Sequence, residues 1–323
     1  MQNIIIDTDP GVDDAQAIAF AIAHPEINLL GLTTVFGNAC LDITTRNALT
    51  ILELFGRPNI PVARGAAQPL VQERMASPDF VHGADGMGNL NLAAPSGRVI
   101  DETAAEFIVR TVTAQPGEVS LIAIGPLTNI SEALALDPSL PSKTKELVIM
   151  GGTVDEPGNV SPVAEANFLG DPHAADSVFS VDWPATIIGL DVTHRTLLRD
   201  RDFAELRDHA KATGRLLWDS SRFYIDFYST ARDLSADHER SCAMHDASTV
   251  VYLLERDAFE CVSGPARVVS DGIAVGQLIV DRAGHEYPLP YWQNRPAVRV
   301  AMKVDSGRVR KTFIDTIVEY ALV

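Results

Sequence analysis

Short apolar runs alternate along the first half of the chain with stretches in which apolar residues recur every three or four positions. IIIDT reads as a strand, and DDAQAIAFAIAHP, with Ala, Ile and Phe on one face, reads as a helix stopped by Pro25. NLLGLTTVFG is the next predicted strand, LDITTRNALTILELFG an amphipathic helix ending at Gly56, and IPVARG a short strand. A loop rich in Gly, Pro and Asp runs to about Pro95. Beyond it the pattern predicts helix ETAAEFIVRTVTAQPG, strand VSLIAIG, helix PLTNISEALALDP with Pro126 near its start, and strand ELVIMGG. Helix AADSVFSVDW and strand ATIIGLDV follow. Past Thr193 the pattern turns helical, LRDRDFAELRDHAKATGRLLWDSSRFYIDFYSTARDL, and the chain closes with strand-like runs and a helix near Val309 to Tyr320.

Strand–helix–strand order repeated this often predicts an α/β fold, a Rossmann-like, mainly parallel sheet flanked by helices. The continuous apolar strands LVIM and IIGL agree, because such strands are buried on both faces. No linker, low-complexity tract or repeat interrupts the pattern, so a single domain over residues 1–323 is expected.

Charge narrows the function classes. With 43 acidic against 26 basic residues and a net charge of −17, the chain's field opposes nucleic acid and anionic membranes. Three scattered cysteines without a CxxC pair argue against a disulfide framework or thiolate zinc, and for a reducing compartment. MQNIIIDTDPG lacks the basic and apolar regions of a signal peptide, and no apolar run approaches the ~20 residues of a membrane helix. A cytoplasmic location is expected.

Ligands of open parallel sheets bind at the carboxyl ends of the strands. Polar residues gather at those ends here: Asp7, Asp9, Asp13 and Asp14 after the first strand, Gly37 and Asn38 after the second, and GPLTN after VSLIAIG. Asn159, Glu165 and Asn167 follow LVIM, and Asp191 follows IIGL. Each alone has a plain structural explanation in turn or helix-start chemistry. Their common rim points to a site.

Asp7 and Asp9 are two apart and share a side of an extended strand, whereas Asp13 and Asp14 in a first helical turn diverge by about 100°. One of that pair can face a cation and the other a substrate. Carboxylates crowded this way raise one another's pKa unless a cation compensates them. Oxygen donors without clustered His or Cys favour calcium, with magnesium as the other hard ion, over zinc. In AMHDAST, Asp246 is either a helix cap or a completing metal ligand, and His245 either incidental or an acid–base group. Tyr224 and Tyr228, one helical turn apart, are a core pair or a stacking surface for a flat ring.

Taken together, DTDPGVDDA, VFGN, HGADG, IGPLTN, MGG, GNVSPVAEAN, GLDVTH and MHDA, in this order, resemble the inosine-uridine preferring nucleoside hydrolase family over essentially the whole chain. The resemblance implies hydrolysis of the N-glycosidic bond of ribonucleosides with one bound Ca2+. Asp9, Asp14, Asp246 and the main-chain carbonyl of Ile124 would hold the ion, with Asp9 also the general base on the attacking water. Asp13, Asn38 and Asn167 would bind the ribose 2′- and 3′-hydroxyls, and Asn159 and Glu165 the 5′-hydroxyl. Met150 and His82 would line the pocket, Asp7 would orient the loop, and His245 would protonate or position the leaving base.

The family also implies a homodimer or homotetramer. Ala166 stands where the family more commonly carries Phe. His245 speaks for a pyrimidine or mixed inosine–uridine preference, and the stretch Phe223 to Arg240 is expected over the base. Two other readings compete. A haloacid-dehalogenase-type phosphatase would use Asp7 as nucleophile, Asp9 as acid–base and magnesium, but the run continues PGVDDA and no Lys plus acidic-pair motif follows. A non-catalytic nucleoside- or sugar-binding protein is disfavoured by Asp9, Asp14, Asp246 and His245 occurring together.

Overall fold

The computed structural model describes residues 1–231 and 239–322. Strands β1 (Gln2–Thr8), β2 (Ile27–Thr34), β3 (Val62–Arg64), β4 (Val119–Ala123), β5 (Glu146–Met150) and β6 (Ala185–Ile188) stand in the order β3-β2-β1-β4-β5-β6. All their pairings are parallel. Strands β7 (Leu197–Arg199) and β8 (Ser241–Ala243) form a separate antiparallel pair. Of β9 (Phe259–Val268), β10 (Leu278–Val280) and β11 (Ala297–Val304), β11 joins β6 in parallel, and β9 and β10 extend that edge antiparallel.

The expected parallel α/β sheet is therefore present, with an antiparallel margin. Strand order reverses between β1 and β4, which opens a crevice above their carboxyl ends. Alternation along β1 builds the two cores: Ile4 and Ile6 pack on one face and Ile5 on the other, all fully buried.

Helices α1 (Val12–Ala23), α2 (Leu41–Leu54), α3 (Asp79–His82), α4 (Ala104–Ala114), α5 (Thr128–Leu136) and α6 (Leu140–Lys143) occupy the first half. They are followed by α7 (Ala166–Gly170), α8 (Pro172–Val178), α9 (Leu190–Thr193), α10 (Asp200–His209), α11 (Lys211–Ala231), α12 (Asp246–Tyr252) and α13 (Ser306–Tyr320).

Several boundaries differ from the sequence pattern. The strand predicted over ATIIGLDV stops at Ile188, and LDVT coils into α9. The backbone at Gly189 runs against the loop after β5, where a Cβ would lie 2.6 Å from the Gly152 carbonyl. Helix α8 starts earlier than its apolar pattern, because Asp171 caps it by accepting from the Ala174 amide at 3.0 Å and Pro172 follows the cap. The Gly/Pro/Asp loop contains the single turn α3, and β7 precedes the long helical region. Arg232 to Leu234 of the predicted helical run, and with them the middle of the stretch expected over the base, lie outside the described residues. Among the described residues no helix is long and apolar enough to cross a membrane.

Candidate active site

The chain leaves β1 through Asp9, Pro10 and Gly11 and enters α1 at once. Gly11 is the N-cap, and a Cβ there would lie 2.7 Å from His82 Nδ1 and 2.8 Å from Asn38 Nδ2. A side chain would push those walls away, so glycine permits the close approach. Asp14 is pinned from several sides. It accepts from the Gly11 amide at 2.8 Å, the Asp9 amide at 3.2 Å, Asn38 Nδ2 at 2.9 Å and the Thr8 hydroxyl. Asp9 Oδ2 accepts the Asn38 amide at 2.7 Å, while its Oδ1 is buried without a hydrogen-bond partner.

Asp13 Oδ2 accepts the Tyr224 hydroxyl at 2.9 Å; its Oδ1, also without a hydrogen-bond partner, is 3.8 Å from His82 Nδ1. Asp7 points elsewhere, accepting from Thr33 Oγ1 at 2.5 Å and Asn129 Nδ2 at 2.7 Å. It ties β1 to β2 and α5 beneath the loop.

Asp246 opens α12 beneath the same crevice. One oxygen from each of Asp13, Asp14 and Asp246 lies within 4.8 Å of the others. Asp9 is not in that trio, but it lines the same cavity as Asp13 and Asp246. Burial raises the pKa of all four carboxylates: Asp13 and Asp14 to about 6, Asp9 and Asp246 well above the usual range, with repulsion from neighbouring carboxylates adding in Asp9, Asp14 and Asp246. Four buried acids with unpaired oxygens on two of them fit a hard dication, and no Cys or His belongs to the trio.

A second wall comes from the loop after β5 and from α7. Glu165 caps α7: Oε1 accepts the Asn167 amide at 2.8 Å, and Oε2 accepts Gly152 at 2.9 Å and Phe168 at 3.2 Å. Asn167 Nδ2 donates to the carbonyls of Ile124 and Met150, each at 3.1 Å. Asn159 Oδ1 accepts the Ala166 amide at 3.0 Å. Asp191 gathers the amides of Val154, Asp155 and Glu156 and so braces that loop from outside. Ala166 is exposed and leaves the rim open.

Burial pushes Glu165 up to about 7. Between the unfolded value of 4.5 and about 7 the native state binds the extra proton, so stability present at pH 4.5 is lost as pH rises through 7. Denaturant unfolding of metal-free protein should therefore show falling stability across that window, with Glu165→Gln flattening the slope by on the order of 3 kcal/mol in total. An unchanged slope in that variant would count against the assignment.

Tyr224 and Tyr228 project from α11 with ring centroids 4.8 Å apart, edge to face. Both line the cavity, and their hydroxyls are engaged, that of Tyr224 on Asp13 and that of Tyr228 on His245. The Tyr228 hydroxyl is 2.7 Å from His245 Nε2, and His245 Nδ1 is 2.8 Å from Thr193 Oγ1. Burial, with His194 and His82 nearby, pushes the His245 pKa well below its usual range, so the ring is neutral.

Of the residues expected to hold the ion or the substrate or to act in catalysis, all but Asp14, which lies behind the surface, line one cavity of about 550 Å³, whereas Asp7 and Asp191 brace its loops from outside. Sequence reasoning missed Phe36, Arg74, Met75, Phe80 and Phe227, which also line it, and Thr193 behind His245. Phe227 follows Tyr224 by three positions, a helical spacing that could have marked it. Arg74, Met75 and Phe80 lie in an aperiodic loop that gives no such signal.

The family model described as inosine-uridine preferring nucleoside hydrolase matches residues 4–311. The chain belongs to this family. It is therefore an N-glycosyl hydrolase, and the phosphatase reading falls away. A probable uridine nucleosidase 1 of Oryza sativa subsp. japonica is 40% identical over 310 residues, covering 95% of this chain and 93% of that protein. The solved plant nucleoside hydrolase PpNRh1 superposes with a TM-score of 0.93 at 36% identity, covering 98% of this chain and 99% of the other. A purine-preferring ribonucleoside hydrolase from Gardnerella vaginalis gives a TM-score of 0.89 at 32% identity, with 98% coverage of both chains.

Proposed function

We propose that this nucleoside hydrolase cleaves pyrimidine ribonucleosides, or inosine and uridine alike, with calcium held by Asp9, Asp14, Asp246 and the Ile124 carbonyl. The observation that carries this reading is the convergence of Asp9, Asp246 and Ile124 with Asn38, Asn159, Glu165 and Asn167 on one cavity, Asp14 lying just behind it within 4.8 Å of Asp246, with free oxygens on Asp9 and Asp13. When bound, the ion supplies positive charge that offsets the carboxylates and makes water easier to deprotonate.

The chain's own residues do the rest. Asp9, steadied by the Asn38 amide on Oδ2, takes the water proton on its free Oδ1 as the oxygen closes on C1′. Asp13, Asn38 and Asn167 hold the 2′- and 3′-hydroxyls, and Asn159 and Glu165 the 5′-hydroxyl, fixing C1′ against that water. The surrounding carboxylates stabilise positive charge as the sugar becomes oxocarbenium-like. The C1′–N bond breaks with its electron pair leaving on the base, which needs a proton.

His245 lines the cavity with its Nε2 2.7 Å from the Tyr228 hydroxyl, so it acts on the leaving base through that hydroxyl. The proton passes from the Tyr228 hydroxyl, with His245 and Thr193 oriented behind it. Tyr228→Phe should accordingly lower kcat for uridine by about 100-fold, the usual contribution of a general acid. It should leave a riboside with a p-nitrophenolate leaving group, which departs unprotonated, nearly unaffected; equal losses on both substrates would remove Tyr228 from the proton path.

The function itself is tested by incubating the protein with inosine, uridine and cytidine and measuring free ribose. No ribose from any of them would leave only the non-catalytic binding reading. The name of the rice relative and the description of the Gardnerella structure point to different bases, so the relative rates, rather than mere turnover, decide preference. A homodimer or homotetramer is the expected assembly, which light scattering would check.

A further inference from the structure

Helix α2 contributes nothing to the cavity lining, yet one of its side chains touches the backbone of two cavity walls at once. Asn47 is 2% exposed. Its Nδ2 donates to the Pro10 carbonyl at 3.0 Å and to the Asp85 carbonyl at 2.9 Å, and its Oδ1 accepts from Arg46 Nη2 at 3.2 Å. Pro10 is the turn of the acidic loop, between Asp9 and the N-cap Gly11. Asp85 belongs to the loop that follows His82.

That second loop is organised around the same point. The Asp85 carboxylate accepts the amides of Met87 at 2.8 Å, Asn89 at 2.8 Å and Asn91 at 2.7 Å. The Gly88 amide closes it onto the His82 carbonyl at 2.7 Å. Gly86 has φ +75°, and a Cβ there would sit 2.8 Å from Asn47 Nδ2, so the loop can close on the amide because glycine stands opposite it.

Two buried carbonyls on separate loops each need a donor. A primary amide carries two N–H groups in one plane and can meet both; Asp of the same shape carries none, and Ser carries one. We propose that Asn47 is a positioning residue that locks the Asp9–Asp14 loop and the His82 loop in the register catalysis requires. The inference rests on the nucleosidase reading. Asn47 touches neither substrate nor ion; it acts through the Pro10 and Asp85 carbonyls. A shift of either wall moves Asp9 and Asp13 relative to His82, and misplacements of about 1 Å cost on the order of 100-fold in rate.

The experiment compares unaltered protein, Asn47→Ala, Asn47→Ser and a control, Val112→Ala, whose side chain is buried in the opposite core. Uridine kinetics are measured with calcium present, beside thermal unfolding of each variant. The expected result is a loss in kcat of about 30–100-fold in Asn47→Ala with KM changed less than about threefold, an intermediate loss in Asn47→Ser, and unchanged kcat in the control. If the alanine variant fails to fold, the serine variant alone carries the comparison. Two results overturn the inference: kcat within about threefold of normal in a folded Asn47 variant, or equal kcat losses in Asn47 and Val112 variants of equal stability. Absence of ribose release by the unaltered protein would instead sink the nucleosidase reading, and this inference with it.

Discussion

Asp9→Asn should lower kcat for ribose release by about 1,000-fold or more while the protein stays folded, a loss of about 4 kcal/mol in transition-state stabilisation. The amide keeps the shape of the carboxylate and can still accept from the Asn38 amide through its oxygen. What it loses is the basic Oδ1, which is buried and unpaired in the native chain. Burial and the neighbouring Asp14 charge raise the Asp9 pKa, making the carboxylate a stronger base than an exposed one. Initial-rate measurements at saturating uridine, with circular dichroism to confirm folding, decide the matter; turnover within tenfold of normal would remove Asp9 as the base.

The second large effect concerns the ion. Stripping divalent cations with a chelator should abolish turnover and lower the melting temperature, and added calcium should restore both. Burial raises the pKa of all four carboxylates, and a dication among them would offset that cost and their mutual repulsion. An ion at about 100 times its dissociation constant would stabilise the native state by roughly 2.7 kcal/mol. Calorimetric titration of the stripped protein with calcium and magnesium separates the two ions. Full activity in chelator, with no cation found by elemental analysis, would overturn the metal reading. The same titration on Asp13→Asn and Asp9→Asn tells which aspartate joins Asp14 and Asp246 in binding.

Much of the scaffold was legible because its signals are local. Ile4, Ile5 and Ile6 form a strand buried on both faces, and the apolar spacing of α1 and α2 survives folding nearly unchanged. The end of β6 was not legible, since it depends on a close approach to Gly152 from another loop. At the site, residue types at strand ends were enough to mark Asp9, Asn38, Glu165 and Asn167 as neighbours. Orientation was not. Tyr224 and Tyr228 could be read as stacking rings because helical spacing gives a shared face but says nothing of where hydroxyls point. Their partners, Asp13 and His245, come from distant segments.

Tyr224 and Asp13, joined by one hydrogen bond, are 211 positions apart in sequence. On a ribosome adding about 5–20 residues per second, the acidic loop waits roughly 10–40 s for that hydroxyl, and longer for Asp246. During that interval the strands on either side of the switch point can pair, but the carboxylates have no lid and stay in water. The pocket is thus among the last parts of the molecule to close, and a chain truncated before α11 would carry most of the sheet and Asp9 but lack Tyr224, Tyr228, His245 and Asp246.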